Sequence, residues 1–393
     1  MSSSSGTAGG LLKFEEIQKN HQAQDTAQPQ DSSNLEVVVA PVPIALNPYK
    51  ESIVPNDIGD YLLPGGEKFG LFSDPYATMV YQRSKDGMRN GRYWLENRVI
   101  DTDFTPRELK LLELLSTVKI ATRSQIERAI FKNIQGDKTV LNFLKNCRNS
   151  GFLCAFSWVT PLKEDRKKPL IYGLTKSGFD AAEIALQKRL PDDWWFRPIE
   201  VSLGKGPDMQ SFFYDLVSSE LHSELIRIDR LISWQRRPAI RYNDSFTHHP
   251  TASFEVIKDQ GEFRLFWVEV VRPAKDWVNR TKNRFKWTQT AYSSLTGYQK
   301  PVRVIVIVDG DSRIPVISHL AKVYMPDVEV RFTTDERLLK GLDQDTFVSY
   351  DHSEQQLIST PISFLQPNHN GMSASEYYSL QDMNLQDEDQ FEE

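Results

Sequence analysis

Residues 152–179 read FLCAFSWVTPLKEDRKKPLIYGLTKSGF, and this stretch decides the fold of the first half of the chain. Residues 152–160 are apolar and aromatic, which favours a β-strand. Residues 161–169 form a charged loop, and residues 170–174 have the composition of a returning strand. The stretch therefore predicts a β-hairpin with a basic tip that carries Lys163, Arg166, Lys167 and Lys168.

Three helices are predicted before this hairpin. Thr105 and Glu108 form a capping-box pattern with a proline between them, and a second capping pattern begins at Thr122. A third helix follows the turn at residues 135–137 and ends near Gly151, a typical C-terminal cap. Apolar residues recur at the spacing of one helix face in all three: Leu109, Leu112, Leu115, Val118; Ile126, Ala129, Ile130; Val140, Leu141, Leu144.

Three helices followed by such a hairpin is the order of a winged helix-turn-helix domain, predicted here for residues 105–190. Residues 172–179, YGLTKSGF, resemble the wing-to-helix junction of many bacterial winged-helix proteins. The third helix of such a domain enters the major groove, where Lys, Arg and Asn reach base edges and phosphates. The wing cations are expected to hold backbone phosphates. The third helix offers Lys138, Thr139, Asn142, Lys145, Asn146 and Arg148.

The net charge of −6 hides a strong segregation of charge. Residues 105–189 contain 16 Lys/Arg and 8 Asp/Glu, and residues 264–303 contain 9 Lys/Arg and 2 Asp/Glu. Residues 335–393 contain 2 Lys/Arg and 13 Asp/Glu. Because binding responds to the local field, the overall acidity does not exclude a nucleic-acid partner.

The remaining segments are less informative. Residues 1–35 are polar and predict a disordered tail, residues 36–104 predict an irregular extension, and residues 359–393 predict an acidic disordered tail. No apolar run reaches the length of a membrane span, and the beginning does not resemble a signal peptide, so a cytoplasmic protein is expected. Cys147 and Cys154 lack the spacing of a zinc site or a disulfide framework.

Residues 205–350 predict a second unit. A helix at 211–227 precedes strand candidates at 228–234, 239–242, 251–257 and 263–271, and a long helix follows at 275–295. A buried strand at 302–308, a helix at 314–323 and a strand at 328–332 complete the pattern. The expected fold is therefore α+β or α/β: a winged helix-turn-helix followed by a mixed-sheet α/β domain, with disordered termini.

This order resembles the PD-(D/E)XK nuclease superfamily, with its restriction-endonuclease-like fold. Together with the upstream winged helix it is similar to the replication-relaxation family of bacterial plasmids and mobile elements. The resemblance covers roughly residues 105–350. It is carried by Leu221-His222, by His249-Pro250-Thr251, by residues 267–271 (WVEVV), and by the helix that contains Lys282, Lys286 and Tyr292.

The resemblance implies a catalytic site of two carboxylates that converge on Mg²⁺ and a nearby lysine. Glu269 stands at the second acid, but Thr251 occupies the first position and Val271 the lysine position. We therefore expect a degenerate site without a cofactor. Only the alternative of a divergent endonuclease requires Mg²⁺. In that alternative Lys282 or Lys286 replaces the missing lysine, and Glu220 or Glu255 replaces the missing carboxylate.

Glu269 also has a structural interpretation, as the ion-pair partner of Arg272 or Lys286. His248 and His249, with His222, suggest a metal site only weakly, because no cysteine lies near them. On the long helix, Arg280 and Arg284 share a stripe with Trp287, and Lys282, Lys286, Trp277 and Phe285 lie beside it. Such a helix tracks a nucleic-acid backbone, or alternatively buries its aromatic residues in a core.

The expected function is binding of double-stranded DNA by a protein of a mobile element, in replication, mobilisation or its regulation. Partnership with other replication or mobilisation proteins, and formation of a homodimer, are left open, and no membrane partner is expected. Two alternatives remain: the Mg²⁺-dependent endonuclease, and an adaptor whose winged helix contacts proteins.

Overall fold

Two β-sheets, of four and seven strands, organise the molecule. The computed structural model describes residues 37–50, 52–82, 90–101, 103–131, 137–242 and 246–391, with side chains up to residue 382 apart from that of Asp137. The expectation for residues 1–35 lies outside this range. The fold is mixed α and β, as expected. Within the described residues, no helix is both long and apolar enough to cross a membrane.

The smaller sheet has the strand order β1-β3-β4-β2 and is antiparallel throughout. Its strands are β1 (Thr78–Tyr81), β2 (Ile120–Thr122), β3 (Leu153–Val159) and β4 (Ile171–Leu174). The helices around it are α1 (Gly91–Asp101), α2 (Pro106–Val118), α3 (Arg123–Ile130), α4 (Asp137–Asn149) and α5 (Lys176–Leu186).

The predicted helix starts are confirmed by their hydrogen bonds. The Thr105 hydroxyl accepts from the Glu108 amide at 3.2 Å, and the Glu108 carboxylate accepts from the Thr105 amide at 2.9 Å. The Thr122 hydroxyl and the Gln125 side chain form the same reciprocal pair at the start of α3. Each box supplies hydrogen-bond acceptors for amides that the first turn of a helix leaves without partners. Because these partners are three residues apart, the helix starts can be predicted from the sequence.

The larger sheet is mixed, with the strand order β13-β12-β11-β10-β9-β8-β5. Strands β9, β10 and β11 are parallel, and the remaining pairs are antiparallel. Its strands are β5 (Leu231–Arg236), β8 (Ala252–Asp259), β9 (Glu262–Val270), β10 (Arg303–Val308), β11 (Val330–Thr334), β12 (Val348–Asp351) and β13 (Gln356–Ser359), and a separate ribbon joins β6 (Ile240–Arg241) to β7 (Thr247–His248). The accompanying helices are α6 (Gln210–Arg227), α7 (Trp277–Ser294), α8 (Ile314–Tyr324), α9 (Asp335–Leu339) and α10 (Ala374–Phe391).

Helix α6 lies between the two sheets and is buried along most of its length. Phe213 and Leu216 on α6 belong to one apolar cluster that includes Phe156 of the smaller sheet and Phe254 and Phe266 of the larger one. The two sheets therefore share a core, which removes from water apolar surface that either part alone would expose.

Three carboxylates on α6 are buried with this core and are paired with arginines. Asp215 accepts two hydrogen bonds of 2.8 Å from Arg236 of β5. Arg128 of α3 contacts Glu220 and lies 3.2 Å from Glu224. Gln125 of α3 donates to Glu220 as well, at 2.8 Å. These contacts attach α3 to the larger unit, because a buried carboxylate without a partner is strongly unfavourable.

An N-terminal strap, residues 58–72, crosses the ends of the parallel strands. Arg272, just after β9, donates to the carbonyl of Phe72 at 2.8 Å and pairs with Asp335, which begins α9. Asp335 in turn accepts from the Phe72 amide at 2.8 Å. Arg313 donates to the carbonyl of Tyr61 at 2.5 Å. The backbone of the strap thus supplies partners for charged groups that are buried at this edge of the sheet.

The chain beyond residue 359 differs from the predicted disordered tail over the described part. Phe364 and Leu365 are buried, and the Arg230 guanidinium donates to the carbonyls of residues 369, 371 and 372. The Tyr378 hydroxyl donates to the Ile232 carbonyl of strand β5 at 2.8 Å. The acidic composition of the whole segment predicts disorder, although a few aromatic and apolar residues within it pack against the rest of the protein.

We expect Arg128→Met to lower the free energy of unfolding by about 3–5 kcal/mol, because it leaves Glu220 buried beside an apolar side chain. Urea denaturation measures this change. The control is Arg92→Met, which removes an exposed pair with Glu96 and should cost about 0.5 kcal/mol or less. Equal effects of the two substitutions would contradict the role given to Arg128.

Candidate nucleic-acid interface

Helix α4 presents one polar face to solvent. Val140, Leu144 and Cys147 are buried against the smaller sheet with Phe143 packed beside them, and most of the other side chains between them are exposed. Leu141, predicted to be buried, is 47% exposed, because it lies one position outside the apolar stripe. Five of the six predicted base- and phosphate-contacting residues are exposed: Lys138, Thr139, Asn142, Lys145 and Asn146.

Arg148, the sixth predicted residue, has a structural contact. Its side chain is half-buried, and the guanidinium donates to the Gln82 carbonyl at 3.2 Å. Gln82 follows strand β1, so Arg148 ties the end of α4 to the edge of the smaller sheet. Position in the last turn of the helix, where carbonyls and neighbouring backbone lie close, favours this use of a cation.

The loop between β3 and β4 is pinned to the rest of the molecule. Arg166 pairs with Glu164 at 2.9 Å and with Glu336 at 2.7 Å, and its guanidinium also contacts the Phe69 carbonyl of the strap. Lys68 of the strap pairs with Asp165 at 2.8 Å. Arg166, predicted to hold a backbone phosphate, therefore has its charge already compensated by Glu164 and Glu336 in the structure.

The other loop cations are placed differently. Lys163 and Lys167 are exposed. Lys168 is half-buried, and its ammonium lies 5.9 Å from the centre of the Trp158 ring. Burial acts to lower the pKa of Lys168, and it outweighs the opposing effect of Asp74. Of the four cations that the sequence predicts for the loop, Lys163 and Lys167 are exposed and Arg166 and Lys168 are half-buried.

Glu269 is fully buried in the structure and engaged on both oxygens. The Arg284 guanidinium contacts Oε2, while His248 Nε2 and the Thr288 hydroxyl each lie 3.1 Å from Oε1. Burial acts to raise the pKa of Glu269, but the Arg284 charge and the His248 hydrogen bond outweigh it and hold the pKa below its usual value. Glu269 is therefore an ionised structural carboxylate.

Arg284 also occupies the neighbouring position of the expected catalytic site. Its guanidinium donates to the Thr251 hydroxyl at 2.9 Å and to the His249 carbonyl at 3.3 Å. A guanidinium thus bridges the two residues that the nuclease resemblance assigns to metal ligands, Thr251 and Glu269. Val271, at the lysine position, is buried among apolar residues. In the part of the chain that the structure describes, no three His, Cys, Asp or Glu side chains are grouped to hold a metal ion.

The residues predicted to pair with Glu269, or to replace the missing catalytic groups beside it, make other contacts in the structure. Arg272 pairs with Asp335, and the ammonium groups of Lys282 and Lys286 lie 5.3 and 5.5 Å from the Tyr324 ring centre. Glu220 pairs with Arg128 and Glu255 accepts from Ser233 at 2.9 Å. His222 is buried beside Trp234, and burial lowers its pKa to about 3. None of these side chains completes a catalytic constellation.

Sequence reasoning missed the roles of His248 and Thr288, and no local signal points to them. The sequence suggests a role for His248 only as a metal ligand together with His249 and His222. Its contact with Glu269 depends on the ribbon β6–β7, which consists of two two-residue strands. On α7, the aromatic residues Trp277 and Phe285 are buried in the core, whereas Arg280 is exposed to solvent.

Comparison of the chain with protein-family models, with curated proteins and with solved structures finds no match. The function is therefore inferred from geometry: the polar face of α4, the pinned β3–β4 loop and the occupied Glu269 site.

We expect Arg284→Met to lower the free energy of unfolding by about 3–5 kcal/mol near neutral pH, because it leaves the buried carboxylate of Glu269 without its cationic partner. In the wild type the depressed pKa of Glu269 contributes stability that is present above the ordinary glutamate value of 4.5 and is lost as the pH falls. In the variant the carboxylate prefers its proton. The difference between the two proteins should therefore narrow as the pH is lowered.

Chemical denaturation across this pH range tests the prediction. Arg303→Met is the control, because its partner Glu329 is about half exposed and its loss should cost less than about 1 kcal/mol. A difference between wild type and Arg284→Met that stays constant with pH would assign the destabilisation to packing.

Proposed function

We propose that the protein binds double-stranded DNA through helix α4, as a winged helix-turn-helix protein of a mobile element that acts in replication, mobilisation or its regulation. The observation that carries the proposal is the exposed face of α4, with two lysines, two asparagines and a threonine. Asp137 is the only acidic residue of α4 and stands at its N-terminus, where a carboxylate is favourable. Anionic phosphate therefore meets little repulsion along the rest of the helix.

The order of elements supports the winged-helix assignment. Helices α2, α3 and α4 precede the antiparallel pair β3–β4, and β2, between α2 and α3, pairs with β4. This order is typical of winged helices, in which the third helix reads the major groove and the hairpin forms the wing. Asn142 and Asn146 have the side-chain amides that pair with adenine edges, and Lys138 and Lys145 suit phosphates or guanine.

The β3–β4 loop has a smaller part in this proposal than the sequence indicated. Lys163 and Lys167 are exposed and suited to phosphate contact, whereas Arg166 holds the loop against the strap and α9. Such pinning lowers the entropy that the loop loses on binding. The loop then acts as a fixed edge beside α4.

The second unit supports the nuclease-like part of the proposal through its topology. Helix α6 and the antiparallel strands β5, β8 and β9 are followed by α7 and by β10, parallel to β9. This is the order that the PD-(D/E)XK resemblance implies. Since Arg284 occupies the position between Thr251 and Glu269, we propose that the unit serves as a non-cleaving scaffold.

The first test is fluorescence anisotropy with a labelled duplex library across salt concentrations. We expect Lys138→Ala/Lys145→Ala to weaken binding to all sequences and to reduce the slope of log K against log salt by roughly 2, about 0.9 for each lost phosphate contact. The control is Lys50→Ala/Lys340→Ala, which removes two exposed lysines far from α4 in sequence. An unchanged slope in the α4 variant would contradict the proposal.

Cleavage is tested separately with supercoiled and linear DNA in Mg²⁺. We expect intact DNA, because the carboxylate that would bind the metal is satisfied by Arg284, His248 and Thr288. Nicking that disappears in Glu269→Ala would instead establish the endonuclease.

A further inference from the structure

Two neighbouring helices of the larger unit lack acidic residues altogether. Helix α7 has 18 residues and α8 has 11, they pack side by side, and neither contains Asp or Glu. An exposed helix in a globular protein usually mixes both charges, because opposite charges three or four residues apart are mutually stabilising. The excess of one sign on two adjacent helices creates a positive local field.

The cations of this surface are held by aromatic rings. Lys282 and Lys286 lie over Tyr324, and the Lys300 ammonium is 3.9 Å from the Tyr292 ring centre. Among the described residues, no carboxylate oxygen lies within 4.0 Å of these lysines or of the exposed Lys322. Arg284, which pairs with Glu269, is the exception on α7. The positive charge is therefore accessible to an external anion.

Nearby acids are few and already engaged. Asp276 accepts from Asn279 at 2.7 Å, and Asp327 accepts from Gln289 at 2.7 Å. These carboxylates lie at the borders of the surface and leave the lysines between α7 and α8 uncompensated.

Aromatic side chains accompany the cations at the surface. Tyr298, on the short turn Gly297–Gln299 after α7, is 88% exposed. Trp287 and Arg280 share the flank of α7 that carries Arg284, so they lie outside this surface. An exposed aromatic ring beside unpaired cations is suited to a flat, anionic ligand. Nucleic-acid bases stack on such rings when they are unpaired, whereas a duplex hides their faces.

We propose that this surface, the α7–α8 basic face, binds single-stranded nucleic acid. It consists of Lys282, Lys286, Lys300 and Lys322 with Tyr298. The cations contact successive phosphates, and a base stacks on Tyr298. The face shares no residue with the exposed surface of α4, so this inference does not depend on duplex binding there.

The test is anisotropy of the full-length protein with labelled oligo-dT and oligo-U of about 20 nucleotides. We expect Tyr298→Ala to weaken binding roughly fivefold or more, through loss of one stacked base. Lys282→Ala/Lys286→Ala should reduce the salt slope by roughly 1.4, about 0.7 for each phosphate contact on a single strand. Loss with both oligomers, or with one alone, supports the site and identifies the sugar that it accepts.

Two controls make the outcome decisive. Tyr93→Ala removes another highly exposed tyrosine, on α1, and should leave binding unchanged. Lys138→Ala/Lys145→Ala should lose duplex affinity and keep affinity for the single strand. The proposal is overturned if neither Tyr298→Ala nor the double lysine variant weakens oligonucleotide binding, or if the α4 variant alone abolishes it; the duplex proposal stands or falls by its own measurement.

Discussion

The structure depends on the carboxylates buried along α6. Asp215, Glu220 and Glu224 lie in a shared apolar core, where an unpaired charge would destabilise the fold. Their partners arrive from both sides, Arg128 from the smaller unit and Arg236 from the larger sheet. Ion pairs of this kind restrict geometry more than apolar contacts do, because guanidinium and carboxylate must face each other in plane. The position of α3 relative to the larger sheet follows from the pairs of Arg128 with Glu220 and Glu224.

Arginine and lysine have separate roles in the molecule. Arginines at positions 128, 166, 236, 272, 284 and 313 hold carboxylates or backbone carbonyls inside or between units. Lysines predominate on the two faces that we propose bind nucleic acid. The planar guanidinium forms several hydrogen bonds at once and loses less hydration on burial, whereas the ammonium group is strongly hydrated and stays at the surface. Counts of total basic charge therefore overstate the charge available to a ligand.

The sequence predicted local structure well and pairing poorly. The capping boxes at Thr105 and Thr122, and the continuous apolar strands β9 and β10, depend on neighbours in the chain, so their patterns were readable. The partner of Arg166, Glu336, is 170 residues away in the chain, and no sequence pattern near Arg166 predicts this pair. The sequence places Glu269 on a largely apolar strand and predicts Arg272 or Lys286 as its ion-pair partner, whereas the structure pairs it with Arg284. The residue that pairs is decided by the crossing of α7 over the sheet, which periodicity does not specify.

The strap has a consequence for assembly of the chain on the ribosome. The hydrogen bonds of the Phe72 backbone cannot form until Arg272 and Asp335 have been synthesised, 200 and 263 residues later. At ordinary bacterial or eukaryotic elongation rates of about 5–20 residues per second, this delay is roughly 13–50 s. The β3–β4 loop rests on the strap, so its final position is also postponed until most of the larger sheet has emerged. The early helices are synthesised first, whereas the β3–β4 loop gains its contact with Glu336 only after most of the larger sheet has been made.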